Sequence, residues 1–264
     1  MMIGFNLIGK LGRLGNQMFQ FAALKGIARN RGYQFCIPPS EQKDVWNDHQ
    51  LFVPFKLKNT NHLNVQYIDA ERPVVSEETF NFNQKLFDEC PDWVSLHGFF
   101  QTEKYFKHIE DEIRGDFVFH DEILGPAMQT MASFKKPISL HVRRTDYVTN
   151  PNHTAIEMDY YKKALDAFDY SRQVIIFSDD PAWCFKQALF MDDRFMISEN
   201  DNPYLDMCLM TLCSDHIIAN SSFSWWGAWL AKSNHVIAPK GWFEGSNNSH
   251  LDTKDLIPKE WELI

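Results

Sequence analysis

Residues 138–148 read ISLHVRRTDYV. The first five alternate apolar and small or aromatic-polar side chains without a break, as a short buried strand does, and the polar quartet that follows ends it. Working outward from this stretch, a regular alternation unfolds. The strand ISLHV (138–142) is followed by the helical pattern DYYKKALDAF (159–168), the strand QVIIFS (173–178) and the helix DPAWCFKQALF (180–190). Then come the strand RFMIS (194–198), the helix NPYLDMCLMTLCS (202–214), the strand HIIAN (216–220), the helix FSWWGAWLAK (223–232) and the strand HVIAP (235–239). Apolar strands separated by helices predict a parallel sheet covered on both faces.

Upstream, IGFNLIG (3–9) reads as a strand, GKLGRLGNQ (9–17) as a glycine turn and MFQFAALKGIARNRG (18–32) as a helix ending at Gly32. YQFCI (33–37) completes a βαβ-like unit. Between residues 38 and 137 no single period holds, although VSLHGFFQTEKYFKHIEDEIRGDFVF (94–119) reads as a strand running into a helix, with Phe99, Phe100, Tyr105 and Phe106 as core. The fold class expected is therefore α/β, with two facing Rossmann-like domains of mainly parallel sheets. One spans residues 1–136 and the other 137–264.

The chain has 264 residues, a formal net charge of −9 and a pI near 5.5. An acidic balance excludes a protein that works by diffuse attraction to nucleic acid or an anionic membrane, so any anion site must be local. Five scattered cysteines without a C-x-x-C pair argue for reduced structural thiols. The sequons at Asn152, Asn220 and Asn247 carry no weight against their chance frequency. No signal peptide and no run long enough to span a bilayer are visible. The expected location is cytoplasmic, with peripheral attachment to the inner face of a membrane left open.

In open α/β sheets ligands bind beyond the carboxyl ends of the strands. Four polar clusters fall there. After the first strand, Gly9, Gly12 and Gly15 form G-x-x-G-x-x-G, neither the dinucleotide fingerprint nor a P-loop. What remains is a glycine turn that brings Arg13 and Asn16 to a helix start as anion contacts, or that merely ends a strand tightly. After 138–142, strand alternation puts His141 and Arg143 on one side and Arg144 on the other. Arg143 is then the better ligand of the two, since a guanidinium grips phosphate bidentately. The plain structural alternative pairs both arginines with acidic residues. Asp179 and Asp180 could cap the next helix or accept hydrogen bonds from a nucleoside. Ser221, Ser222, Phe223 and Ser224 open a tryptophan-rich helix at the positive end of its dipole. No Asp-x-Asp occurs in the chain, which removes the usual divalent-metal motif of sugar-nucleotide transferases. No serine-hydrolase or zincin motif occurs either.

GRLGNQMFQFAA, GFFQTEKYF, HVRRTDYV, DYYKKAL, FSDDP and ANSSFSWWGAWLA, in this order, resemble the α-1,2-fucosyltransferases of glycosyltransferase family 11, and more distantly the α-1,6- and protein O-fucosyltransferases. The resemblance implies a GT-B fold and transfer of L-fucose from GDP-fucose, with inversion and without a metal or other cofactor, to a glycan hydroxyl such as the 2-hydroxyl of a galactoside. By position, it implies that Arg143 binds the β-phosphate, that His141 and one of Asp179 and Asp180 contact guanine, and that Ser221 to Ser224 form a phosphate and nucleoside loop. Arg13, Gly15 and Asn16 become the loop that closes over the diphosphate, and Arg144 a donor-side neighbour. Thr145 stands where the family more often has glycine, which leaves an α-1,6-type linkage or another GDP-sugar as the alternative, alongside a non-catalytic glycan-binding protein on the same fold. Arg143, Asp146 and Asn16 are the catalytic candidates; the base is open between Asp146, ranked first because it belongs to the HVRRTD motif although it is a weak proton acceptor beside two guanidiniums and better suited to orienting Arg144, and His153, also an acceptor-side candidate. The acceptor glycan and the oligomeric state have no signature in the chain.

Overall fold

The computed structural model describes residues 1–38, 49–57 and 73–264. Residues 39–48 and 58–72, part of the aperiodic stretch between residues 38 and 137, lie outside the described residues. The chain forms two compact units, one of residues 1–120 with 252–258, the other of residues 121–251 with 259–264. The division thus falls at His120, upstream of the expected break at residue 136.

In the first unit, β1 (Met2–Gly4), α1 (Leu14–Arg31) and β2 (Gln34–Cys36) are followed by β3 (Val74–Ser76), α2 (Gln84–Glu89), β4 (Val94–His97) and α3 (Glu110–Asp116). The sheet runs β2-β1-β4-β3 with every pair parallel. Helix α1 is buried nearly all round, against an aromatic core that includes Phe5, Phe21, Phe55, Phe100, Tyr105, Phe106 and Phe117. Of the four aromatics read as core, Phe99 is the exception and lies at the surface. Gly26 lets α1 press on the turn at residues 103–106, since a Cβ there would stand 1.9 Å from the Tyr105 carbonyl oxygen. Beside it, the fully buried Lys25 ammonium pairs with Asp116 on α3 at 2.5 Å and with Glu112 at 3.3 Å. The returning segment 252–258 is tied in by Asp255, which accepts from the Phe82 N–H at 3.1 Å and pairs with Lys104 at 2.5 Å.

The second unit opens with α4 (Asp121–Met131), which packs on a later helix of the same unit and for that reason belongs with it. It continues β5 (Ile138–Val142), α5 (Thr145–Thr149), α6 (Met158–Leu165), β6 (Val174–Ser178), α7 (Pro181–Cys184), β7 (Phe195–Ile197), α8 (Pro203–Leu212), β8 (Asp215–Ile217), α9 (Ser222–Ala231), β9 (His235–Ala238) and β10 (Glu262–Leu263). The parallel sheet has the order β10-β9-β8-β5-β6-β7. This is the doubly wound order, which reverses direction between β5 and β8. Ile138, Leu140 and Val142 pack with Val174, Ile176, Ile217 and Ile237 against Tyr161 and Leu165. Each such side chain removed from water contributes roughly 1.5–3 kcal/mol.

The expected helix over 180–190 is broken. Asp180 caps α7 and Pro181 starts it, but the Gln187 side chain donates to the Trp183 carbonyl, and the chain tightens into a 3₁₀ turn at Ala188–Phe190. All five cysteines are buried and unbridged. Among the described residues no helix is long and apolar enough to cross a membrane.

Candidate active site

The reversal point between β5 and β8 is where an open sheet leaves a crevice for a ligand. Beyond the end of β5 stand Arg143 and Arg144, and beyond β8 stand Asn220 and Ser221 at the start of α9. His141, within β5, is buried and hydrogen bonded through Nδ1 to Ser224 Oγ at 2.9 Å, while Phe223 lies 5.8 Å from its ring. Burial, and then the neighbouring Arg143 charge, hold its pKa well below the ordinary value, with Asp179 opposing. The imidazole is therefore neutral near pH 7. Ser221 caps α9 by accepting from the Phe223 N–H, Ser222 is half-buried, and Ser224 is buried under them.

Arg143 is held from two sides. One Nη donates to Asp146 at 2.5 Å and the other lies 3.0 Å from Asp179, with the Tyr147 ring 5.2 Å from the guanidinium carbon. Its Nε is buried and has no acceptor among the described residues. Asp179 also accepts from the Arg144 N–H at 2.8 Å and from the Thr145 hydroxyl, so three consecutive residues converge on one carboxylate. Arg144 lies over the Trp183 ring at 3.8 Å, with Asp180 at 3.7 Å.

One expectation changes here. Asp146 orients Arg143, not Arg144, because α5 begins at Thr145 and its first turn swings the carboxylate back over the residue three positions earlier. The pairing of both arginines with acidic residues, given above as the plain structural alternative, is present, since the two guanidiniums meet the three carboxylates of Asp146, Asp179 and Asp180. Both aspartates of the FSDDP stretch are engaged, Asp179 by the RRT turn and Asp180 as the cap that accepts from the Trp183 N–H at 3.0 Å.

His153 stacks on Tyr147, with centroids 4.3 Å apart and an interplanar angle of 10°. Its pKa is lowered chiefly by burial, with Asp146 opposing and Arg143 adding to the fall. Tyr147 donates to the Asn220 carbonyl at 3.1 Å, and the Asn220 amide donates to Thr154 and Trp242 carbonyls at 2.9 Å each, so this side of the site is a continuous network. Asn220 is buried and serves structure, as expected from giving its sequon no weight. Trp225, Trp226 and Trp229 are core.

The remaining candidates belong to the first unit. Arg13 is exposed at the position before α1, Gly15 is buried in its first turn, and Asn16 is half-buried. Asn16 Oδ1 accepts from Gln101 Nε2 at 2.7 Å. Tyr147, Trp183 and Gln101 touch these candidates without having been selected from the sequence. All three lie inside or beside the quoted stretches, but nothing in their local pattern tells an aromatic or amide that supports a site from one that fills a core. Among the described residues no three His, Cys, Asp or Glu side chains gather to hold a metal ion.

The sequence model of glycosyl transferase family 11 matches residues 2–264. An alpha-1,2-colitosyltransferase of Escherichia coli is 31% identical, with 96% of each chain covered. Galactoside alpha-(1,2)-fucosyltransferase 1 of Bos taurus is 26% identical over 85% of this chain and 66% of its own length. Among solved structures, the fucosyltransferase NodZ from Bradyrhizobium superposes with a TM-score of 0.57 at 14% identity, covering 95% of this chain and 97% of its own. POFUT1 in complex with GDP-fucose does so at 0.54 and 12% identity, covering 88% and 94%. At such identities the likeness shows the fold, which is of the GT-B type.

Proposed function

Since the chain belongs to glycosyl transferase family 11, we propose that it moves L-fucose from GDP-fucose, with inversion and without a metal ion, to the 2-hydroxyl of a galactoside in a glycan. The observation that carries this reading is Arg143. It sits at the reversal point of the nucleotide-binding type of sheet, with a buried Nε that none of the described residues satisfies and with two carboxylates fixing its plane.

The acceptor oxygen attacks C1 of the fucosyl group, the bond from C1 to the β-phosphate oxygen breaks on the opposite face, and GDP leaves with the electron pair. Negative charge grows on the diphosphate, and Arg143 is the group that meets it. Asp146 is the more exposed of the two carboxylates on Arg143, at 42% against 19%, and is the one the diphosphate displaces. The lack of any Asp-x-Asp supports a site that neutralises this charge with the guanidinium and the α9 N-terminus. The acceptor proton passes to His153, which is neutral near pH 7 and held flat against Tyr147. Asp146, paired to Arg143, is the poorer base. His141 and the Ser221–Ser224 turn are placed to receive the nucleoside.

One observation favours a second donor. The 31% identical relative is named for colitose, a deoxygenated counterpart of fucose. Incubation with GDP-fucose or GDP-colitose, a panel of galactosides, and EDTA tests the whole reading. Acceptor-dependent release of GDP that survives EDTA is expected. Release abolished by EDTA overturns the metal-free reading, and turnover of GDP-colitose alone reassigns the sugar.

A further inference from the structure

We propose that Tyr147 is a positioning residue for Arg143: its ring, anchored by its own hydroxyl, keeps the guanidinium plane fixed when a diphosphate displaces Asp146. This rests on the transfer reading above. Every residue involved belongs to the second unit. Tyr147 is the third residue of α5, four positions after Arg143, and its ring centre lies 5.2 Å from the guanidinium carbon.

Three groups hold Arg143, and they respond differently to an incoming phosphate. Asp146, at 2.5 Å, is the more exposed carboxylate, and a phosphate takes its place on the same Nη. Asp179 holds the other Nη at 3.0 Å. Once Asp146 has left, the guanidinium can pivot about that one remaining ion pair. A ring face does not compete with phosphate, yet it attracts and orients a guanidinium that lies over it. Tyr147 is therefore the second point that fixes the plane.

The ring is itself held by contacts that do not involve Arg143. Its hydroxyl donates to the Asn220 carbonyl at 3.1 Å. Burial pushes the phenol up to about 12, so it remains a donor at neutral pH. Asn220 is 1% exposed, and its amide donates to the carbonyls of Thr154 and Trp242 at 2.9 Å each, so the acceptor is fixed in turn. His153 lies flat on the same ring, with its own N–H on the Asn150 carbonyl at 3.1 Å. A phenylalanine at 147 keeps the ring face and loses the anchor, whereas a leucine loses both.

The test is calorimetric titration of the intact protein with GDP and with GMP, which lacks the β-phosphate that Arg143 would meet. The variants are Tyr147→Leu, Tyr147→Phe, Arg143→Ala and the double Arg143→Ala with Tyr147→Leu. Tyr147→Leu is expected to weaken GDP by about tenfold and GMP by less than about twofold, and Tyr147→Phe to weaken GDP by about threefold. With Arg143→Ala already present, Tyr147→Leu should cost GDP no more than about twofold further. Equal losses for GDP and GMP, native GDP affinity in folded Tyr147→Leu, or the full loss without Arg143 overturns the inference. Thermal melting identifies a variant that fails to fold. Should Tyr147→Leu do so, Tyr147→Phe decides, and unchanged GDP affinity in it overturns the proposal. Wild-type protein that binds GDP no tighter than GMP would overturn the reading of Arg143 itself, whereas a GDP preference with equal losses overturns only the role of Tyr147.

Discussion

The two units carry their candidate-site turns at the carboxyl end of the same kind of parallel sheet, yet hold them by different chemistry. In the second unit, charge does it: Asp146 and Asp179 clamp Arg143, and Asp179 gathers the backbone and hydroxyl of the next two residues. In the first, side-chain amides do most of it. Gln17 donates to the Gly12 carbonyl and accepts from the Gln50 N–H, Gln50 accepts from the Leu14 N–H, Gln20 reaches across to the β4 turn, and Gln101 reaches back from that turn to Asn16. A site that must meet charge keeps a guanidinium and needs carboxylates to aim it.

The contrast can be broken in three ways, the largest first. The first unit also holds a buried charge pair, Lys25 with Asp116. Lys25→Ala strands Asp116 and should cost about 3–5 kcal/mol in denaturant unfolding, while Lys25→Met together with Asp116→Leu should recover most of it. If the single change costs nothing, charge is no more structural in this unit than amides are. Next, Arg143→Ala and Arg143→Lys should each lower kcat by about 100-fold or more, near 3 kcal/mol of barrier, because an ammonium cannot bridge Asp146 and Asp179 while meeting a phosphate. A lysine variant with near-native turnover would show that the fork geometry is irrelevant.

The smallest effect, per pH unit, is the response to acid. His141 and His216 in the second unit are buried, and burial holds the pKa of each below 6.5, His216 at about 4. Below pH 6.5 the unfolded chain binds protons that the folded unit refuses, so stability present above pH 6.5 is lost as the pH falls, by up to about 1.4 kcal/mol per pH unit for each imidazole. In the first unit Glu77 works the other way. Burial raises it from 4.5 to about 7, so the stability it adds is full below pH 4.5 and is lost as the pH rises toward 7. That offsets His49, lowered by burial to about 4. On acidification from pH 7 to 4.5, amide exchange should rise in β5 and β8 before β1 and β4, and a simultaneous rise would remove the distinction.

How much of this was legible follows the same division. The nine alternating segments from residue 138 to 239 were readable because buried parallel strands and their covering helices each impose a period on side-chain polarity. The largest shortening is at α7, where a glutamine side chain donates to a helical carbonyl. The strand β3 and the short α2 carried no such signal. Three-residue strands bounded by loops are made by their neighbours, and β3 pairs with a β4 that lies well along the chain.

For the candidate site, residue types and strand alternation point to His141, Arg143, the aspartates and the serine turn, and the structure brings these together at the carboxyl end of one sheet. Family membership, too, could be read from the ordered stretches alone. Tertiary structure alone decided the pairings: Asp146 with Arg143, Arg144 on Trp183, His153 on Tyr147, and Gln101 on Asn16 from 85 residues away. The reason is physical. Period and composition report which face a residue turns to water, whereas hydrogen-bond partners depend on distances between segments that the chain brings together only when it folds.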